Sequence, residues 1–235
     1  MSPRPRRNDQ QVNLSEAIKE AAWQQIAESG AQSLSLRAIG RALRITAPAI
    51  YNYFPDRDAL VRTLIVDAFT SFGQALAAAR DALPQDNLAG RFLAVGMAYR
   101  QWAITHPERF LLIFGSLVPG RTFTQSELGP APLDSFLVLA GVVEAARQAG
   151  ALHLPAGYVH WTPALQSQAQ TLCGMGLAQD PLTVYLATEA WAKVHGLTAL
   201  ELYGYLPSFL GRSVEDFWRS EFAAYSLVLF GKTTY

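Results

Sequence analysis

Between Ser35 and Phe54 the chain has room for two short helices and a tight turn, and the residue types there allow little else. Ser35 can accept the free N–H groups that open a helix over Leu36–Leu43, whose Leu36, Ile39 and Leu43 share one face. Arg44 and Ile45 make the turn. Thr46 can cap a second helix, Ala47–Tyr53, with Pro48 in the first turn, where a missing N–H costs nothing. Pro55 restarts the chain, and Asp56 can cap a long helix from Arg57 to about Ala82. Ahead of this run, Leu14, Ile18, Ala22 and Ile26 line one face of a helix over 12–29 that Gly30 closes. Residues 1–11, polar and basic with Pro3 and Pro5, read as a flexible arm.

Beyond residue 82 every apolar pattern has a helical period. Segments near 88–105, 107–117, 132–149, 161–173, 182–205 and 213–230 lack strand-like alternation and are divided by proline and glycine, as at Pro84, Pro107, Gly150, Pro181 and Gly211. The expected fold is all-α: an N-terminal three-helix helix-turn-helix domain over 12–56, followed by a larger helical domain over 57–235. Half of the 235 residues are apolar and 16% are charged, which excludes a long disordered chain. A single cysteine, Cys173, excludes a disulfide-stapled scaffold. Apolar runs such as Phe136–Ala140 are far shorter than the roughly 18 residues of a membrane span. The opening Met-Ser-Pro-Arg-Pro-Arg-Arg has no apolar run behind it, so a secretory leader is not expected and the cytoplasm is.

The net charge of zero hides an asymmetry. Residues 1–62 hold nine Lys/Arg and six Asp/Glu, and the remainder holds ten and thirteen. The stretch Ala31–Phe54 has Arg37, Arg41 and Arg44 and no acid. A local positive excess suits either a polyanion or a solvated helix face. Geometry bears on the choice. A B-DNA major groove is about 12 Å wide and admits one α-helix. Thr46-Ala47-Pro48-Ala49 opens the second short helix with small residues that let backbone approach bases and phosphates, and helix N–H groups there suit phosphate. Tyr51, Asn52 and Tyr53 can donate to phosphate or base edges.

Ser-Leu-Arg-Ala-Ile-Gly-Arg-Ala-Leu (35–43), Thr-Ala-Pro-Ala-Ile-Tyr-Asn-Tyr-Phe (46–54) and Pro-Asp-Arg-Asp-Ala-Leu (55–60) together resemble the DNA-binding domain of TetR-family transcriptional regulators. The resemblance covers about residues 14–64. It implies that Ser35, Arg37, Thr46, Ala47, Ala49, Tyr51, Asn52, Tyr53 and Arg57 lie at the DNA, with Arg57 where the family usually has a phosphate-binding lysine. Two residues depart from the pattern. Gly40 stands where alanine is usual. Arg44 stands where glycine is usual, so either the turn differs or Arg44 tolerates a left-handed conformation and gains a phosphate contact.

Residues 89–230 resemble the TetR C-terminal subgroup named for a Trp–His–Gly signature, through Trp191, His195 and Gly196 and through His106-Pro-Glu-Arg-Phe. That resemblance implies a small-molecule effector and a homodimer formed by the last two long helices. Apolar residues cover more than one face of those helices, so they need a second partner, from a C2 mate or from the same chain. Leu200, Tyr203, Phe217, Phe222, Tyr225 and Leu229 are the interface candidates. Met97, Trp102, Phe110, Phe114, Trp161, Met175 and His195 are the effector-pocket candidates, though the same residues serve equally as plain core, and His195 reads first as a hydrogen-bonded core residue. Cys173 reads as a small core residue. The histidines form no zinc spacing with it, and no metal or cofactor is expected. No nucleophile elbow, phosphate loop or facing carboxylate pair marks an enzyme. The expected function is a ligand-responsive regulator, a repressor released from operator DNA by its effector. The alternative is a helical ligand- or protein-binding module with little specific DNA binding.

Overall fold

A computed structural model describes residues 7–115 and 123–231, and within them every regular element is a helix. In chain order these are α1 (Arg7–Ser29), α2 (Leu36–Ala42), α3 (Ala47–Tyr51), α4 (Arg57–Asp81), α5 (Leu88–Thr105), α6 (Pro107–Phe114), α7 (Gln125–Leu128), α8 (Ala131–Gln148), α9 (Pro163–Gly174), α10 (Pro181–Leu202), α11 (Tyr205–Leu210) and α12 (Val214–Phe230). Of the arm expected over 1–11, residues 7–11 lie in α1, and residues 1–6 lie outside the described residues. α11 was not anticipated. Gly204 (φ 79°) ends the long α10 and starts it, and Gly211 (φ 60°) ends it. Only glycine takes such angles without strain.

The chain divides into two compact units. The first comprises the described residues of Met1–Phe69 and of His106–Gly129. Its core is Ile18, Ala22 and Ile26 of α1, Leu36 and Ile39 of α2, Ile50 of α3, Phe54, and Leu60, Val61 and Leu64 of α4, all buried. Burial of such side chains contributes on the order of 1.5–3 kcal/mol each. Lys19 ties α1 to Asp67 of α4 at 2.7 Å. α6 joins this unit: the Arg109 guanidinium lies over the Trp23 ring at 5.1 Å, and Phe114 meets Phe69 edge-on at 5.6 Å. The sequence reading had placed α6 in the larger domain.

The second unit comprises Thr70–Thr105 and the described residues of Pro130–Tyr235. α5, α8, α10 and α12 pack around aromatic side chains. Phe72, Tyr99, Trp102 and Trp191 make a chain of ring contacts with centroids 4.8–5.9 Å apart. Trp218 is fully buried and stacks on Phe222. Arg100 is buried beside them. It donates to both carboxylate oxygens of Glu201 at 2.6 and 2.8 Å, and its guanidinium faces the Trp218 ring. At Gly96 a Cβ would come within 2.3 Å of Phe222, so only glycine lets α5 approach α12 this closely.

The interface candidates divide. Phe222 (3% exposed), Tyr225 (7%) and Leu229 (0%) face the core of their own chain, which corrects the expectation that they meet a second copy. On α12 they share the face of Trp218, and α5 already covers it. Leu200 and Tyr203 are exposed and Phe217 is half-buried.

Candidate nucleic-acid interface

The surface expected from the sequence is assembled from α2, α3 and the start of α4. Ser35 opens α2: its hydroxyl accepts from the Ala38 N–H at 3.3 Å, as a cap should. The C-terminal end of α2 is a Schellman closure. Arg44 N–H donates to the Arg41 carbonyl at 3.2 Å, and Ile45 N–H donates to the Gly40 carbonyl at 2.9 Å. That closure demands a left-handed residue, and Arg44 supplies it with φ 55°, among the described residues the only non-glycine with positive φ. The turn therefore keeps the geometry glycine would give, at a cost of about 1 kcal/mol.

Thr46 caps α3 by accepting from the Ala49 N–H at 3.4 Å, with Pro48 in the first turn. Ile50 and Phe54 turn inward and anchor the helix. On the other side Thr46 and Asn52 are exposed, Tyr51 is 42% exposed, and Ala49 and Tyr53 are half-buried. The Ala47 side chain lies outside the described residues. Arg37, Arg41 and Arg44 are exposed, and no ion pair or hydrogen bond engages their guanidinium groups among the described residues. An arginine without a partner keeps its donors for an incoming oxyanion. Arg37, Ser35 and Tyr51 line one open depression together with Pro55 and Asp56.

Arg57 is different. Its Nη2 donates to the Ala31 carbonyl at 2.7 Å and its Nε to the Leu34 carbonyl at 3.2 Å. Two of its five N–H donors are spent inside the protein. Gln25 also escaped the sequence reading: its Oε1 accepts from the Ser35 N–H at 3.0 Å. A polar residue on the inner edge of α1, next to Ile26, was the available signal.

The effector-pocket candidates are divided between the two units. Phe110 and Phe114 belong to the first unit. In the second, Met175 is 70% exposed, Trp161 stands edge-on to Tyr185, and Trp102 is buried with its indole N–H donating to Ser71. Met97 is half-buried. A small cavity of this unit is lined by Phe92, Gly96, Tyr99, Trp191 and Phe222 among others, and none of the seven candidates lines it. Its volume is about 10 Å³, space for one water at most. His195 Nδ1 lies 2.8 Å from the Tyr99 hydroxyl, a hydrogen bond within the core. Burial pushes the His195 pKa down and the Tyr99 pKa up, so both groups are neutral near pH 7. Cys173 is half-buried, and burial pushes its thiol up, away from the thiolate. Among the described residues no group of three His, Cys, Asp or Glu is placed to hold a metal ion, and no helix is long and apolar enough to cross a membrane.

Two short capped helices with an exposed second member, in a chain that also carries a separate helical unit, define a helix-turn-helix DNA-binding regulator. Residues 18–64 match bacterial regulatory proteins of the tetR family, and residues 92–225 match the tetracyclin repressor-like C-terminal domain. The chain belongs to the TetR family of transcriptional regulators. It is 32% identical over 206 residues to the HTH-type transcriptional regulators Rv1816 of Mycobacterium tuberculosis and Mb1846 of Mycobacterium bovis, covering 85% of this chain and 85% of each of them. The crystal structure of regulatory protein SCO4313 superposes with a TM-score of 0.73 at 27% identity, covering 94% of this chain and 97% of that one. Regulators of this family bind operator DNA, dimerise and are not enzymes.

Proposed function

We propose that the protein is a cytoplasmic repressor, released from its operator by a small effector, and that two copies present α3 to successive major grooves. The observation that carries the reading is the exposed Arg37, Arg41 and Arg44, engaged by no acid among the described residues, around an α3 whose Thr46, Tyr51 and Asn52 are exposed. Ser35, Arg37, Arg44, Thr46, Ala47, Ala49, Tyr51, Asn52 and Tyr53 form the contact surface. Two half-sites one helical turn apart favour a dimer.

The dimer reading rests on the outer faces of α10 and α12. α10 shows Ala192, Gly196, Ala199, Leu200 and Tyr203, and α12 shows Phe217, Ser220, Ala224, Leu227 and Val228. Small residues on these two helices allow a mate's helices close approach, and the one charged pair that bridges them among the described residues, Lys193–Glu221, is internally neutralised. The regulatory half of the reading places the effector in the second unit, which belongs with the Trp–His–Gly subgroup. A cavity of about 10 Å³ is too small for an effector, so an effector bound there selects an expanded conformation. The apolar lining favours an apolar or aromatic effector.

The test is selection of bound duplexes from a random DNA pool with the full chain, then gel shift with Arg37→Ala and Tyr51→Ala. Both variants should weaken binding at unchanged melting temperature, and wild-type affinity should fall steeply with salt. Wild-type binding by both variants would remove the proposed surface. Binding without sequence preference would leave a ligand-binding helical module instead.

A further inference from the structure

The family's pattern points Arg57 at a DNA phosphate, but here two of its guanidinium nitrogens reach into the turn that precedes α2, while 33% of the side chain stays exposed beside Ser35, Arg37 and Tyr51. It donates to the Ala31 carbonyl at 2.7 Å and the Leu34 carbonyl at 3.2 Å. These carbonyls flank the single 3₁₀ turn between α1 and α2, Ala31–Ser33. The Leu34 peptide in turn leads into Ser35, the cap of α2. From the other side Gln25 of α1 accepts the Ser35 N–H at 3.0 Å. Two side chains, one from the start of α4 and one from α1, thus grip the residues that begin α2. A guanidinium is suited to this because its rigid fork can serve two carbonyls at once, which an ammonium on a flexible stem does poorly. Asp58, 3.9 Å away, supplies a nearby counter-charge.

We infer that Arg57 is a positioning residue: it clasps α4 to the 31–34 turn and so sets where α2 presents Ser35 and Arg37, without itself binding phosphate. The two roles differ in what they predict. A phosphate contact tolerates lysine, and its loss to alanine removes about one unit from the slope of log K against log salt. A clasp does not tolerate lysine, and its loss lowers affinity while the slope stays where it was. A clasp also acts in the absence of DNA. The amides from Ala31 to Ala38 should exchange faster when it is broken.

The experiment compares full-length wild type, Arg57→Lys, Arg57→Ala and Gln25→Ala. It reads amide hydrogen exchange of the free chains, and anisotropy of a fluorescein-labelled duplex selected from a random pool by wild type, across a salt series. We expect exchange over residues 31–38 to rise in Arg57→Lys and Arg57→Ala, and affinity to fall about tenfold in both, the size of one lost charged hydrogen bond. The salt slope should be unchanged. Gln25→Ala, which removes no charge, should show the same signature more weakly. Arg57→Lys binding as wild type while Arg57→Ala loses slope would overturn the clasp, as would exchange that does not move. The binding arm rests on the DNA reading above. If wild type shows no sequence preference, that reading fails on its own and the exchange arm still decides the clasp.

Discussion

The two units handle charge in opposite ways. In the first, Arg37, Arg41 and Arg44 stand in solvent without acidic partners. In the second, Arg100 is sealed against Glu201, Glu144 is held by Arg147 and Thr183, and Glu189 accepts from Tyr158. Arginine is a free hand on α2 and in the turn after it, and a closed clasp at Arg57 and at Arg100. Exposed unpaired cations cost little stability, and their value lies in what they meet. Buried pairs contribute little net stability when intact and a large penalty when half removed. A surface that must recognise a polyanion is therefore separable from stability, and an interior that must settle into one of a few packings is not.

The contrast breaks first at Glu201. Glu201→Ala leaves Arg100 buried without its carboxylate and should cost about 3–5 kcal/mol, read by urea denaturation. A loss no larger than that of Arg37→Ala would erase the distinction. Gly96→Ala comes next. The new methyl meets the Phe222 ring, and overpacking of this kind costs about 1–3 kcal/mol. Unchanged melting would show that α12 moves aside freely. In the first unit a glycine gives the opposite sign. A Cβ at Gly40 would meet only the Ile45 carbonyl at 3.5 Å, an ordinary contact, so Gly40→Ala should stabilise α2 by about 0.5–1 kcal/mol in thermal melts.

The smallest effect is a pH dependence. His195 is neutral in the fold with its pKa lowered by burial, whereas the unfolded chain titrates near 6.5. The unfolded state binds more protons below that value, so stability holds above pH 6.5 and declines as pH falls from 6.5 through the lowered folded value. His106, lowered by burial and by Arg109, acts in the same direction. His195→Asn should flatten the fall in melting temperature between pH 7.5 and 5.5. An unchanged curve would leave the acid response to His106 and the carboxylates.

The DNA-facing motif was legible because each of its signals is local. Ser35, Thr46 and Asp56 cap the helices that follow them, and the hydrogen bonds are there. Arg44 announced a left-handed corner by standing where glycine is usual, and the backbone takes that form. What was not legible depends on direction. Phe222, Tyr225 and Leu229 lie on a helix apolar on several sides, and composition does not say which side α5 covers. Phe110 and Phe114 looked like pocket residues, but Arg109 stacked on Trp23 holds their helix in the first unit. α11 was hidden because Pro207 and Gly211 read as a break between two longer helices, and one short turn of helix fits between Gly204 and Gly211. Arg57 carried the expected residue type, and only its long-range partners, Ala31 and Leu34, reveal where its donors go.

The small residues Ala192, Gly196 and Ala199 of α10 and Ser220 and Ala224 of α12 have a consequence at the level of gene control. If a second copy covers them with only moderate affinity, the abundance of paired regulator rises with the square of the amount made. Promoter silencing would then switch on over a narrow range of expression, a threshold in place of a ramp, set by how small those side chains are.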